Sequence, residues 1–284
     1  LAELCGEPVP HVEVRASLAE ALAATEADVA FHAVASRVRD VEGQIQALLE
    51  AGLDVVTSAE EMIWPYAGAR DVAERIDECA RQCGRSVVAA GVNPGVLMDR
   101  LPVYLSSLCV HVEAVEVYRL VDLSKRRPAL RKKMGVGRPR AEVEAAAEAG
   151  TIGHVGLRES LYYLAAGLGW KLDSVRERIE PIVAREALEK GGELVRPGEV
   201  LGLDHSVEAT ALGGGRARLH LVMRLDATDP VDEIRLEGEP PLHVRFVGGV
   251  DGDVATAATV INAASFARGA APGLITRIAM PAIG

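Results

Sequence analysis

Leu53–Ala90, LDVVTSAEEMIWPYAGARDVAERIDECARQCGRSVVAA, is the stretch on which the fold turns. It opens with an apolar run (Leu53–Thr57, LDVVT), passes through a helical pattern from about Gly68 to Cys83, and closes on a second run (Ser86–Ala90, SVVAA). Short continuous apolar runs separated by a helix are the mark of strands buried on both faces, so a βαβ unit and a parallel sheet are expected. Toward the N-terminus the unit repeats: Asp28–Val34 (DVAFHAV) is another run, followed by a helical segment from about Asp40 to Ala51. A short helix is expected at Ala19–Ala24, and a further one from about Val96 to Leu108.

Beyond residue 110 the pattern changes. Val112–Val121 (VEAVEVYRLV) is a longer strand, and Gly156–Gly167 sets Leu157, Leu161 and Leu164 at helical spacing. Arg216–Asp226 (RARLHLVMRLD) alternates strictly, with Ala217, Leu219, Leu221, Met223 and Leu225 on one face. Alternation of this kind predicts a half-buried antiparallel sheet, with Val231–Glu237 and Leu242–Val247 as neighbouring strands. A last helix runs from Val254 to Phe266, with Asp253 as its expected N-cap. The organisation expected is an α/β unit over 1–110 completed by 252–284, and an α+β unit over 111–251.

Composition narrows the function. The chain has 284 residues, 49% hydrophobic and 25% charged, with a formal charge of −10. A net negative charge disfavours nucleic acid as a partner. No apolar stretch approaches the roughly 18 residues a membrane span needs, and no secretory signal is visible. Cys5, Cys79, Cys83 and Cys109 are too few for a disulfide framework and are expected as free thiols of a cytoplasmic protein. Cys79 and Cys83 share a helix face, but nothing completes a zinc set, so no metal is expected.

In open parallel sheets ligands bind beyond the carboxyl ends of the strands. The three runs end in Ala35-Ser36-Arg37, in Thr57-Ser58-Ala59-Glu60-Glu61 and in Gly91-Val92-Asn93-Pro94-Gly95, which would line one crevice. Taken singly, such residues are ordinary turn formers. Glu60-Glu61 stands between a buried strand and the apolar Met62-Ile63-Trp64-Pro65. One of these carboxylates is a candidate base or a stabiliser of a cation, and the alternative role is a first-turn acid on a helix dipole. The basic stretch Asp122–Arg140 reads as a solvated loop or as a holder of carboxylate or phosphate. His154 is a cap, a packing residue or a catalyst. A G-x-G-x-x-G turn is absent: Gly213-Gly214-Gly215 and Met134-Gly135-Val136-Gly137 do not stand between a strand and a helix.

Four phrases, GVNPGVLMDRLP (Gly91–Pro102), LSKRRPALRKKMGVG (Leu123–Gly137), GHVGLRESLYYLAAGLGWKLD (Gly153–Asp173) and GDVATAATVINAASFARGAAPGLIT (Gly252–Thr276), resemble the 2,4-diaminopentanoate dehydrogenases. They are also similar to the related native NAD(P)H-dependent amine dehydrogenases, often described as dihydrodipicolinate reductase-like. The resemblance implies an α/β fold. Its first part is a Rossmann-type parallel sheet, here lacking its first βα unit, and its second an α+β domain on a mixed or antiparallel sheet, with the C-terminal helix returning to the first. It implies a homodimer that uses NADP or NAD to interconvert a small amine with a ketone and ammonia through an imine. The catalytic carboxylate falls on the Glu60-Glu61 pair, with Glu60 favoured. Ala35, Ser36, Arg37, Thr57, Ser58, Gly91, Asn93 and Pro94 would border the cofactor, and Arg126, Arg127, His154 and Asn262 would meet substrate. Family members carry about fifty further N-terminal residues with the first strand, the glycine-rich turn and the ribose-binding acid. A truncated gene product, or an omitted segment, is therefore expected. The alternatives are a reductase of a non-amine substrate and a non-enzymatic remnant of the fold. The histidine-pair motif of true dihydrodipicolinate reductases is not found.

Overall fold

The fold was analysed on a computed structural model, which describes residues 13–276. Cys5 and the ends of the expected first unit, 1–12 and 277–284, lie outside the described residues. After a short helix α1 (Leu18–Ala24), capped by Ser17, the chain alternates β1 (Val29–His32), α2 (Val38–Glu50), β2 (Asp54–Thr57), α3 (Arg70–Gln82) and β3 (Ser86–Ala89). The three strands pair in parallel, as the apolar runs require. Alternate residues of β2 and β3 face opposite ways. Val55 and Val87 join Val41, Ile45, Leu49, Val72 and Ile76 of α2 and α3, while Val56 and Val88 pack against Ala263 and Ala267. Those two alanines belong to α8 (Gly252–Gly269), which returns to cover the second face, and Ser86 Oγ donates to Ala267 O at 2.8 Å. A short strand β12 (Gly273–Ile275) then adds in parallel beside β3, giving the order β1-β2-β3-β12.

The helix expected from Val96 is shorter in the structure, α4 (Arg100–Ser106). Buried Asp99 caps it, accepting from Arg100 N at 2.6 Å, so the preceding residues turn instead of coiling. The chain then enters a six-stranded sheet of β4 (His111–Asp122), β5 (Leu172–Val183), β8 (Val200–Ala211), β9 (Arg216–Arg224), β10 (Val231–Glu239) and β11 (Leu242–Val247). A two-stranded ribbon, β6 (Leu188–Lys190) and β7 (Glu193–Val195), lies outside it.

The sheet order is β11-β10-β4-β9-β8-β5, which corrects the expected neighbours of Arg216–Asp226. β4 inserts between β9 and β10 and runs parallel to β9, so the sheet is mixed. Alternation told which face is buried; it carried no information on which strand lies alongside. Helix α7 (Leu157–Gly167) packs Leu157, Leu161, Leu164 and Tyr163 into the core between this sheet and the turn at Glu60–Ile63.

The basic stretch is not a solvated loop. After a turn at Leu123–Lys125 it forms α5 (Pro128–Lys133), opened by Pro128, where a missing N–H costs nothing. Arg131 of α5 is buried and donates to Glu193 Oε1 at 3.0 Å. Helix α6 (Arg140–Glu148) follows. Among the described residues no group of His, Cys, Asp and Glu is arranged to hold a metal, and no helix is long and apolar enough to cross a membrane.

A buried ion pair joins two neighbouring strands of the mixed sheet. Arg119 of β4 faces Asp232 directly across β10, Nε to Oδ1 at 2.6 Å, with both side chains almost fully buried. Asp232 Oδ2 also accepts from Val250 N at 2.7 Å, which ties the mixed sheet to the start of α8.

Candidate active site

The carboxyl ends of β1, β2 and β3 face the buried side of the mixed sheet across a cleft of about 510 Å³. Ala35, Ser36, Ser58, Glu60, Gly91, Asn93 and Pro94 line one wall. Arg119, Arg126, Arg127, Leu130, Lys133 and His154 line the other, and α8 closes the end with Gly252, Asp253 and Thr256. Most of the strand-end residues singled out in the sequence therefore meet, but Arg37, Thr57, Ala59, Glu61 and Gly95 do not line this cleft. Arg37 lines a second, wider cleft of about 1020 Å³. Thr57 is buried in β2, its Oγ1 3.0 Å from His32 Nδ1 and accepting from Ala59 N, so it braces the strand end and lies behind the cleft wall.

The two adjacent glutamates separate here. Glu61 Oε2 accepts from Val38 N at 2.9 Å, and Glu61 N donates to Ser36 O at 3.1 Å. The residue before α2, Arg37, supplies no capping side chain, so Glu61 serves as a cap supplied from elsewhere in the chain. Glu60 faces the smaller cleft, its Oε1 3.9 Å from Lys133 Nζ, which in turn lies 3.5 Å from Ser36 Oγ. The close approach of α7 to this carboxylate depends on Gly156. Its φ is +96°, and a Cβ there would stand 2.9 Å from Glu60 Cβ and 2.9 Å from Pro94 Cδ.

The turn carrying Asn93 is held from behind. The peptide before Pro94 is cis. Asp99, wholly buried, accepts from Gly95 N at 2.7 Å and from Ser160 Oγ of α7 at 2.8 Å. Burial pushes its carboxyl above the ordinary value, against the pull of Arg100 and these donors. His154 sits on the opposite wall with Nε2 3.0 Å from Asn93 O. Burial, followed by the nearby His205 and Lys133, drives the His154 imidazole down to about 3, so it is neutral.

Arg126 and Arg127 do reach the cleft, but they arrive already paired. Arg126 lies 3.5 Å from Asp251 and 3.2 Å from Asp253, and Arg127 lies 3.3 Å from Asp253. The expected N-cap shifts accordingly. Asp251 caps α8 through Asp253 N and Val254 N, while Asp253 turns to the arginines. Asn262 is exposed on α8 and is not among the residues lining the cleft.

Sequence reading missed Lys133 and the contents of the wider cleft. Glu159, in the first turn of α7, has its carboxyl pushed up to about 7, by burial first and then by the charges of Glu61 and Glu177. His205 of β8, buried, meets Glu177 of β5 at 2.9 Å. Lys133 lay inside a phrase that carried the family resemblance, which was the available signal. Glu159, Glu177 and His205 gave none, because Glu177 and His205 meet only through pairing of β5 with β8, and Glu159 joins the same cleft only when α7 packs against that sheet.

The cleft's carboxylate, its lysine and its small strand-end residues suit a proton transfer beside a flat bound ring. Comparison with known proteins gives the same direction. Residues 96–284 match the family defined as the 2,4-diaminopentanoate dehydrogenase C-terminal domain. The chain is similar to 2,4-diaminopentanoate dehydrogenase of Acetoanaerobium sticklandii, 29% identical over 267 residues that cover 90% of this chain and 74% of the relative. Its fold is similar to that of an amine dehydrogenase from Mycobacterium smegmatis, with a TM-score of 0.88 at 24% identity over 100% of this chain and 85% of the other. A more distant fold likeness is to a UDP-N-acetylglucosamine 3-dehydrogenase from Acidithiobacillus ferrooxidans, with a TM-score of 0.52 at 11% identity over 97% and 80% of the two chains.

Proposed function

The chain belongs to the 2,4-diaminopentanoate dehydrogenase family, and on that premise we propose that it is a nicotinamide-dependent amine dehydrogenase whose catalytic carboxylate is Glu60. The substrate is a small amine of the 2,4-diaminopentanoate kind, interconverted with its ketone and ammonia. The observation that carries the reading is the parting of the two glutamates. Glu61 is consumed as the cap of α2, and Asp253, the other carboxylate lining the cleft, is held by Arg126 and Arg127. Glu60 is left to face the ligand.

The cleft fits the nicotinamide end of NAD or NADP. Asn93 contributes a buried side-chain amide with one end lacking a partner, and Ala35, Ser36 and Gly91 leave the strand ends open. When bound, that cofactor supplies or removes the hydride. Glu60 accepts a proton from the substrate ammonium, passes it on to solvent, and as the carboxylate stabilises the positive charge of the iminium, an effect enlarged where water is excluded. Lys133 anchors the outer edge of the carboxylate, and Met62 and Ile63, fully buried behind it, keep that side of the site dry. Residues 1–110 with 252–284 form the cofactor half in this reading, and 111–251 the substrate half.

The test is reduction of small ketones by NADH and by NADPH, with and without ammonia. Oxidation of the cofactor that depends on ammonia is expected. Equal rates without ammonia would identify a reductase of non-amine substrates. Failure of either cofactor to change the protein fluorescence would remove the enzymatic reading altogether.

A further inference from the structure

His154 is fixed by a chain of hydrogen bonds whose proton positions follow from fixed partners. His154 N–H is a donor at 3.3 Å from His205 Nδ1, so that nitrogen is bare. The His205 ring hydrogen is therefore on Nε2, where it is donated to Glu177 Oε1 at 2.9 Å. The Glu177 carboxyl is held below its ordinary value, first by this bond, and stays an acceptor. The same logic applies one step further along. The Asn93 backbone carbonyl can only accept, so at 3.0 Å from it His154 Nε2 carries the hydrogen.

That hydrogen decides the Asn93 side chain. Asn93 Nδ2 stands 3.3 Å from the same Nε2, donor against donor, while Oδ1 is buried with no partner. A half-turn of the amide relieves both faults: Oδ1 then accepts from Nε2–H, and the NH2 group takes the buried, unpartnered place beside the cleft. An unpaired buried donor suits a carbonyl oxygen of a bound ligand, such as the carboxamide of a nicotinamide or the oxygen of a ketone.

We propose that Glu177 and His205 are positioning residues for the reaction: by holding His154 they fix its Nε2–H on Asn93 and so aim the Asn93 amide donor at a carbonyl oxygen in the cleft. This rests on the amine dehydrogenase reading of that cleft. The chain of contacts is built into the packing. His205 is 2% exposed, and Gly153, with φ +117°, lets the loop approach β5 so closely that a Cβ there would stand 2.7 Å from Ile179 Cδ1. The Glu177–His205 pair lines the wider cleft and is not among the residues lining the smaller one, whose wall it meets at His154. Its effect on chemistry therefore runs through His154.

The experiment compares the full-length wild type with His205→Leu, Glu177→Leu and Glu177→Gln. The readouts are proton–nitrogen imidazole spectra of His154, kcat and KM for amine oxidation, and cofactor Kd. Wild type should show His154 as the Nε2–H form. His205→Leu and Glu177→Leu should scramble it and lower kcat on the order of ten-fold, with cofactor Kd unchanged. Glu177→Gln keeps an acceptor for His205 and should restore the wild-type spectrum and kcat. An unaltered His154 spectrum in both leucine variants, or a kcat equal to wild type in both, overturns the proposal. So does a Glu177→Gln variant as poor as Glu177→Leu. If His205→Leu does not fold, the pair at the partly exposed Glu177 reads the same chain. Absence of amine turnover in the wild type refutes the amine dehydrogenase reading instead, and the spectra still decide the positioning.

Discussion

Replacing Glu61 by alanine and Glu60 by glutamine should divide stability from catalysis at two adjacent positions. Glu61 Oε2 is the acceptor for Val38 N at 2.9 Å, and its side chain is 20% exposed. Deleting a capping acceptor costs about 1 kcal/mol. Removing a carboxylate from the positive end of α2 adds about 0.3–1 kcal/mol. The Arg37 contact at 3.7 Å, half in solvent, adds little. Glu61→Ala should therefore lose about 1.3–2 kcal/mol, which for a chain of this size lowers Tm by about 3–8 °C. Its turnover should stay close to wild type, because Glu61 does not line the smaller cleft. Glu60→Gln removes a 3.9 Å contact with half-exposed Lys133, a change of less than about 1 kcal/mol, and no cap. It should leave Tm and cofactor affinity intact while lowering turnover by about 10²–10⁴-fold, the usual contribution of a positioned acid or base. Thermal melts followed by circular dichroism and initial rates of amine-dependent cofactor reduction measure both quantities. An exchange of the two phenotypes, or full turnover in both variants, refutes the assignment of Glu60.

Other expectations follow from burial and charge. Asp232→Ala leaves Arg119 buried without its counter-charge and Val250 N without its acceptor, and should cost about 3–5 kcal/mol in urea denaturation. A loss under about 1 kcal/mol would mean that the pair is not buried as described. Glu159 titrates near 7 in the fold, against an ordinary 4.5, so the folded protein holds a proton that the unfolded chain releases. Its contribution to stability is full below pH 4.5 and is lost as pH rises through about 7. Glu159→Gln should therefore gain on wild type across that window, and parallel stability–pH curves would contradict it. Gly156→Ala forces a side chain into φ +96° and against Glu60 Cβ. It should lower kcat and cost more than about 1 kcal/mol, measured by rates and by melts; a neutral result would show that α7 does not abut the carboxylate.

The parallel sheet was legible in the residues alone, because continuous apolar runs suit strands covered on both faces, and Val55, Val56, Val87 and Val88 are fully buried on alternating sides. The same runs placed Ser36, Ser58, Glu60, Gly91 and Asn93 at one crevice, because strand ends of a parallel sheet lie side by side whatever the packing. The tertiary structure alone decided which partner each group takes. Periodicity marked the buried face of β9 but not that β4 lies beside it in parallel. Adjacent Glu60 and Glu61 are equivalent in a sequence, and only the fold brings Val38 N to one and Lys133 to the other. Lys133, Glu177 and His205 lie far from Asn93 along the chain, and their contacts exist only once α5 packs on the strand ends and β5 pairs with β8. Local patterns fix what a segment becomes; the electrostatics of the site depend on distances set by packing between segments.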